Sequence, residues 1–291
     1  MICSLCPREC NVDRNTSLGF CKMGENITAA KAYLHKYEEP PISGSIGSGT
    51  VFFSGCNLSC VFCQNEVISH DRFGKQITPE QLSDVFLSLE QKGAHNINLV
   101  TPSHFSFPIL KALDIAKPKL KIPIVFNSSG YEKMETLKLW DGYIDIYLPD
   151  LKYCSSVLSK KYSAAENYFE FANQAILEMK RQVGDLIYND NGLLKKGLII
   201  RHLILPSCYK DSIKILKWIS QNISGDFLVS IMNQYTPNNR VKGTELDRRV
   251  STYEYKKVLS YADELGLNGF SQMRESANNV YTPDFNLEGI N

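Results

Sequence analysis

The stretch "GCNLSCVFCQN" crowds three thiols into a C-x3-C-x2-C pattern formed by Cys56, Cys60 and Cys63. Thiolate is a soft metal ligand. A closed zinc site, or an iron–sulfur cluster that only carries electrons, takes four protein ligands. A [4Fe–4S] cubane held by three thiolates leaves one iron with an open coordination position, as catalytic metal sites do. The competing reading is a zinc ion that borrows a fourth ligand, either His70 or a cysteine nearer the N-terminus. Disulfides are disfavoured because the chain is expected in the cytoplasm, where thiols stay reduced. "MICSLCPREC" lacks the apolar core of a signal peptide, and no apolar run reaches the ~18 residues of a membrane span.

A second group, Cys3, Cys6, Cys10 and Cys21, has spacings of two, three and ten residues. Four soft ligands close either a tetrahedral zinc site or an auxiliary iron–sulfur cluster. Bound metal would stabilise a segment too short for a core of its own. Cys154 and Cys208 stand apart. Cys154, just after Lys152 and Tyr153, reads as a substrate-side thiol or, more commonly, a buried free cysteine.

These thiols need a scaffold, and the alternation of short apolar runs with amphipathic ones supplies it. Strands are predicted at 50–55, 95–100, 121–127, 143–149, 197–205 and 226–232. Helices are predicted at 78–93, 107–117, 131–140, 157–183, 210–222 and 252–266. Thr78, Pro79 and Gln81 form a capping-box start for the first of these helices, and Gly93 suits its end. Six βα units imply a parallel sheet with its chemistry at the C-terminal ends of the strands, where the loop of Cys56, Cys60 and Cys63 falls. The Pro-, Gly- and Ser-rich segment 35–49 reads as a linker. Residues 1–48 are thus a four-cysteine metal-binding module with its linker, and residues 49–291 are the βα body with a C-terminal extension. Among 291 residues, 32 basic side chains face 31 acidic ones, so no electrostatic case exists for nucleic acid or an anionic membrane.

"CNLSCVFC" resembles the signature of the radical S-adenosylmethionine (SAM) superfamily, C-x3-C-x-aromatic-C, with Phe62 in the aromatic position. The resemblance implies that the open iron chelates the amino and carboxylate groups of SAM. An electron from the cluster then cleaves a carbon–sulfur bond, and the resulting 5′-deoxyadenosyl radical abstracts hydrogen from a substrate. Phe62 would pack near the adenine. Residues 49–275 resemble the pyruvate formate-lyase activating enzyme branch, which implies a (β/α)6 partial TIM barrel.

The place of that family's Gly-Gly-Glu-Pro motif holds Thr101-Pro102-Ser103-His104, which lacks the carboxylate, so Thr101 and Ser103 become the SAM contacts there. "FNSSGY" resembles the Asp-Thr-Asn-Gly motif, with Asn127 replacing the acid and Ser128 beside it. "LPDLKY" resembles the Asp-Leu-Lys motif, so Lys152 would pair with the SAM carboxylate and Asp150 would help hold a monovalent cation. Arg201 is expected to contact SAM or its charge network, and Gln234 to line the ribose or substrate side. His202, alternating with Arg201 on its strand, should face the helix layer.

The N-terminal pattern Cys-x2-Cys-Pro-Arg-x-Cys resembles that of a group similar to these activating enzymes. The implied partners are an electron donor such as flavodoxin or ferredoxin and, as hydrogen donor, a glycyl-radical enzyme, another peptide or a small metabolite. A non-catalytic iron–sulfur or zinc-binding redox or assembly protein is the reading from another class.

Overall fold

The computed structural model describes residues 2–272 and 282–290. Its strands are β1 (Ile27–His35), β2 (Ser48–Phe53), β3 (Lys75–Ile77), β4 (Ile97–Val100), β5 (Ile124–Ser128), β6 (Ile146–Pro149), β7 (Ile187–Tyr188), β8 (Leu194–Leu203), β9 (Leu228–Met232) and β10 (Gly269–Ser271). The helices are α1 (Pro40–Ser43), α2 (Glu66–Ser69), α3 (Pro79–Gln91), α4 (Ser106–Ala116), α5 (Met134–Leu139), α6 (Ser156–Ser163), α7 (Tyr168–Val183), α8 (Tyr209–Asn222) and α9 (Thr252–Glu264).

One sheet runs in the order β10-β9-β8-β6-β5-β4-β2-β1-β3, with β7 against β8. From β2 to β10 along this path every pairing is parallel, and β1 and β3 add antiparallel edges. The six expected βα units are present and form the expected partial barrel. The sheet also crosses the boundary drawn at residue 48, because β1 and β2 pair from Ala29–Phe53 to His35–Ser48. Residues 36–47 are therefore no free linker. They turn between two adjacent strands and drive Ile42, fully buried, among Val125, Ile146, Leu148, Leu194, Ile199 and Leu228.

The helices follow from local chemistry. At α3, the Thr78 hydroxyl accepts from Gln81 N at 3.2 Å while Gln81 Oε1 accepts from Thr78 N at 2.9 Å, the reciprocal capping box expected. Its buried Leu82, Phe86 and Leu89 recur at helical spacing and face the core. The stretch 157–183, expected as one helix, is two: Ala164 adopts a left-handed φ of 53° and ends α6. The break frees carbonyls that the thiol loop uses. Ser59 N donates to Ser163 O at 3.2 Å and Val61 N to Tyr162 O at 2.9 Å.

A segment near the C-terminus covers the β1 edge. Leu287 N donates to Ala30 O at 3.1 Å, Ala32 N donates to Glu288 O at 2.8 Å, and buried Lys31 reaches Glu288 at 3.0 Å. Among the described residues no helix is long and apolar enough to cross a membrane.

Candidate active site

The thiol loop leaves β2 through Gly55, whose φ is 81°. A Cβ there would lie 2.4 Å from Met23 Cγ and 2.8 Å from Cys21 O, so only glycine lets the N-terminal segment press against the loop. Cys60 Sγ lies 3.0 Å from Ser163 Oγ, Cys63 Sγ lies 3.2 Å from Ser69 Oγ, and Cys56 Sγ accepts from Leu58 N at 3.4 Å. Burial raises the pKa of all three thiols, that of Cys60 to about 11, while the Lys152 cation pulls each of them back down. His70, near the loop, meets the Cys60 carbonyl through its Nε2 at 3.1 Å. Three shielded thiols beside a buried ammonium suit an iron–sulfur cluster, whose positive charge would draw off their protons.

Lys152 begins a buried chain of charges. Its Nζ donates to Asp150 Oδ2 at 2.5 Å, and Arg201 Nε donates to Asp150 Oδ1 at 2.9 Å. The same guanidinium donates to Glu38 Oε2 at 3.1 Å and to Asn127 Oδ1 at 2.5 Å. Glu38 Oε1 in turn accepts from Asn98 at 2.9 Å and from Asn127 at 3.2 Å. Burial alone would raise Asp150, but Lys152 and Arg201 outweigh it and hold the carboxyl below its ordinary value. Both oxygens expected to face a small cation thus face two protein cations. Gly130, with φ 76°, makes this possible, because a Cβ there would overlap the Asp150 carbonyl at 2.2 Å.

These residues border one cavity of about 1030 Å³ at the C-terminal ends of the parallel strands. Cys60, Phe62, Cys63, Asn127, Asp150, Lys152, Arg201 and Gln234 all line it. Phe62 is buried edge-on against Tyr235, with ring centroids 6.0 Å apart. Gln234 is bracketed by Gln272, which donates to its Oε1 at 3.0 Å, and Gln64, which donates to its carbonyl at 3.1 Å.

Cys56, Thr101, Ser103 and Ser128 are not brought to this lining. Thr101 ends β4 with φ 58°, its N–H held by Asn127 O at 2.8 Å. Ser128 Oγ accepts from Gly130 N at 3.2 Å, Ser103 Oγ is buried without a hydrogen-bond partner among the described residues, and burial pushes the nearby Glu132 carboxyl up to about 7. His202 bonds Leu151 O and, at 2.8 Å, Ser212 Oγ of α8, on the helix side as strand alternation requires. Sequence reasoning missed Glu38, Glu39 and His35, all of which line the cavity. The paired acids before Pro-Pro were the available signal, hidden by the linker reading of the segment.

The N-terminal cysteines form a separate group. Cys3, Cys6 and Cys21 are buried and Cys10 half-buried, and none lines the cavity. Burial pushes Cys6 up to about 12, with smaller upward contributions from Glu132, Cys21 and Cys10. Phe20 N donates to Cys10 Sγ at 3.1 Å. Arg8, within the Cys-Pro-Arg motif, joins this group to the thiol loop. It donates to Asn57 O at 2.8 Å, Ala164 O at 2.6 Å and Ser163 O at 3.4 Å, and it stacks 3.7 Å from the Phe20 ring centroid.

A family model described as Radical SAM superfamily matches residues 50–189. The uncharacterized protein MJ0674 of Methanocaldococcus jannaschii is 31% identical over 280 residues, spanning 91% of this chain and 75% of that protein. Among solved structures, SuiB of Streptococcus suis superposes with a TM-score of 0.52 at 17% identity, over 78% of this chain and 48% of that one. SuiB has been solved bound to S-adenosylmethionine and to the precursor peptide SuiA. The FeFe-hydrogenase maturase HydG from Carboxydothermus hydrogenoformans superposes at 0.52 with 14% identity, over 79% of this chain and 59% of that one. This chain spans about half the length of those two solved chains, and the likeness to them is one of fold. With the cysteine loop and the partial barrel already in place, the match over residues 50–189 identifies a radical SAM domain in this chain.

Proposed function

We propose that Cys56, Cys60 and Cys63 hold a [4Fe–4S] cluster at which SAM is reductively cleaved, and that the cavity beside them admits the molecule that gives up hydrogen. The observation that carries this reading is the placement of one ammonium: Lys152 stands in the wall of the cavity that Cys60 and Cys63 also line, and its charge lowers the pKa of all three half-buried thiols. When bound, the cluster and SAM together supply an electron and a 5′-deoxyadenosyl radical. The chain's own residues bind, orient and shield. Lys152 offers a cation to a carboxylate arriving beside the thiols. Asp150 and Arg201 fix its position, Phe62 and Tyr235 present an aromatic wall to an adenine, and Gln234 and Gln272 present amides to a ribose or substrate.

The electron donor in this reading is a small redox protein such as flavodoxin or ferredoxin. The N-terminal quartet holds a second metal centre, zinc or iron–sulfur, and metal and sulfide counts on single-quartet variants separate the two. As hydrogen donor, a glycyl-radical enzyme remains the activase-like proposal, with another peptide or a small metabolite as alternatives. Mixing with such an enzyme should yield a protein-centred radical by electron paramagnetic resonance.

The direct test is anaerobic reconstitution with iron and sulfide, then dithionite and SAM. 5′-Deoxyadenosine should form, and Cys60→Ala should abolish it. Unchanged product in that variant would overturn the reading.

A further inference from the structure

Among the described residues, the floor of the cavity has one carboxylate more than its paired cations: Glu38, Glu39 and Asp150 face Arg201 and Lys152. His35 adds no charge near neutrality, because burial pushes its pKa down to about 4. Lys36, also at the cavity, is exposed and its charge is solvated. Both oxygens of Asp150 and both of Glu38 have partners. Glu39 Oε2 has none among the described residues, although the residue is only 8% exposed and lines the cavity.

A buried carboxylate oxygen without a donor is costly. Here the backbone fixes it in place. Glu39 precedes Pro40 at the first position of α1, and its carbonyl accepts from Ile42 N at 2.8 Å and Ser43 N at 3.0 Å. The neighbouring Glu38 N donates to Ser43 Oγ at 2.9 Å. Burial raises the pKa of both acids, with Arg201 opposing it, so a cationic partner would stabilise their ionised forms.

We infer that Glu38 and Glu39 form a subsite for a basic group, ammonium or guanidinium, carried by the hydrogen-donating ligand. Assigning it to that ligand rather than to SAM rests on the radical SAM reading above, through the order of contacts. Lys152 acts on Cys60, Asp150 binds Lys152, Arg201 binds Asp150, and only then comes Glu38. An amino group chelated beside the thiols lies at the other end of that chain from the acid pair. At about 1030 Å³ the cavity lies at the upper end of the range that ligand sites span. The basic group is either an amine of a small metabolite or a lysine- or arginine-like side chain of a peptide.

The test uses the reconstituted full-length protein and three probes: n-butylammonium, n-butylguanidinium and neutral 1-pentanol. Ligand-observed NMR measures each with and without saturating SAM, and calorimetry measures SAM itself. In the unaltered protein the cations should bind about tenfold or more tighter than pentanol, as expected for a charge-assisted hydrogen bond at a buried site. Glu39→Gln should remove that preference while leaving SAM affinity within about twofold. Saturating SAM should not displace the cations. Equal binding of all three probes overturns the subsite, and the unaltered protein alone gives that answer, so a misfolded variant cannot hide it. Displacement by SAM, or a tenfold loss of SAM affinity in Glu39→Gln, assigns the acids to SAM and also overturns the inference. Failure of SAM to bind at all would count against the radical SAM reading, while the probe comparison would still decide the subsite. Preference of the guanidinium over the ammonium would point to an arginine-like group, and the reverse to an amine.

Discussion

The two cysteine groups use the same side chain in different surroundings. The N-terminal four sit on turns of a short segment away from the cavity, and burial raises the pKa of Cys6 and Cys21. The triad of the β2 loop has one thiol fewer, and its walls carry an ammonium, an aromatic ring and an opening. A set of four donors can satisfy a metal by itself, whereas a set of three beside a cavity leaves the last position to something that enters. The two are also joined. Arg8 and the bare α-carbon of Gly55 make the quartet the back wall of the loop that carries the triad.

The largest effect should separate the groups. Cys60→Ala is expected to lower 5′-deoxyadenosine formation by at least about a hundredfold, since altering even the outer partners of metal ligands costs 10–100-fold. Under the proposal that the quartet binds metal, Cys10→Ala should lower the bound metal count and leave dithionite-driven SAM cleavage within about tenfold of normal. Equal loss in both would merge the roles that the structure keeps apart.

Next comes the charge chain under the triad. Arg201→Met leaves Asp150 and Glu38 buried without their shared guanidinium and should cost about 3–5 kcal/mol in urea unfolding. The seam between the groups is weaker. Arg8→Met removes a cation from three carbonyls and should cost about 1.5–3 kcal/mol. It should also expose the N-terminal segment to limited proteolysis. Arg8→Lys should rescue little, because a single ammonium cannot reproduce the planar fork.

The smallest effect concerns acid. His104 lies on the seam: Arg14 donates to its carbonyl, and its Nε2 meets Ser54 O at 2.8 Å. Burial lowers its pKa from 6.5 to about 4 in the folded state. The unfolded chain therefore takes up the proton first. This contribution to stability is intact above pH 6.5 and declines as pH falls from there toward about 4. Between pH 6.5 and 5.5 the slope should rise from about 0.7 to about 1.2 kcal/mol per unit. A His104→Gln variant, compared by urea unfolding across that range, should lack it.

Much of this was legible along the chain. The alternation of apolar and amphipathic runs placed the parallel body, and Thr78 with Gln81 marked a helix start to the residue. Phe62, Asn127, Asp150, Lys152, Arg201 and Gln234, far apart in sequence, meet at one cavity. Local pattern could not foresee long-range pairing. β1, rich in alanine, becomes a strand through β2 and β3, and β10 spans only Gly269–Ser271. The break at Ala164 exists because loop amides and Arg8 take the exposed carbonyls. Ser103 and Ser128 had suitable chemistry but are buried away from the cavity lining, a placement that spacing does not encode. Glu38 and Glu39 were hidden because proline and glycine mark turns without saying whether a turn lies outside the barrel or plugs it.

Strand β1 keeps a late appointment. Part of its outer flank is closed by residues 287 and 288, some 250 positions downstream, and the Lys31 ammonium waits for the same segment. While the chain is being synthesised from its N-terminus, that flank stays unpaired until nearly all 291 residues have been made. A nascent chain is therefore exposed there to edge-to-edge association with its neighbours, and removing the covering segment would make that exposure permanent.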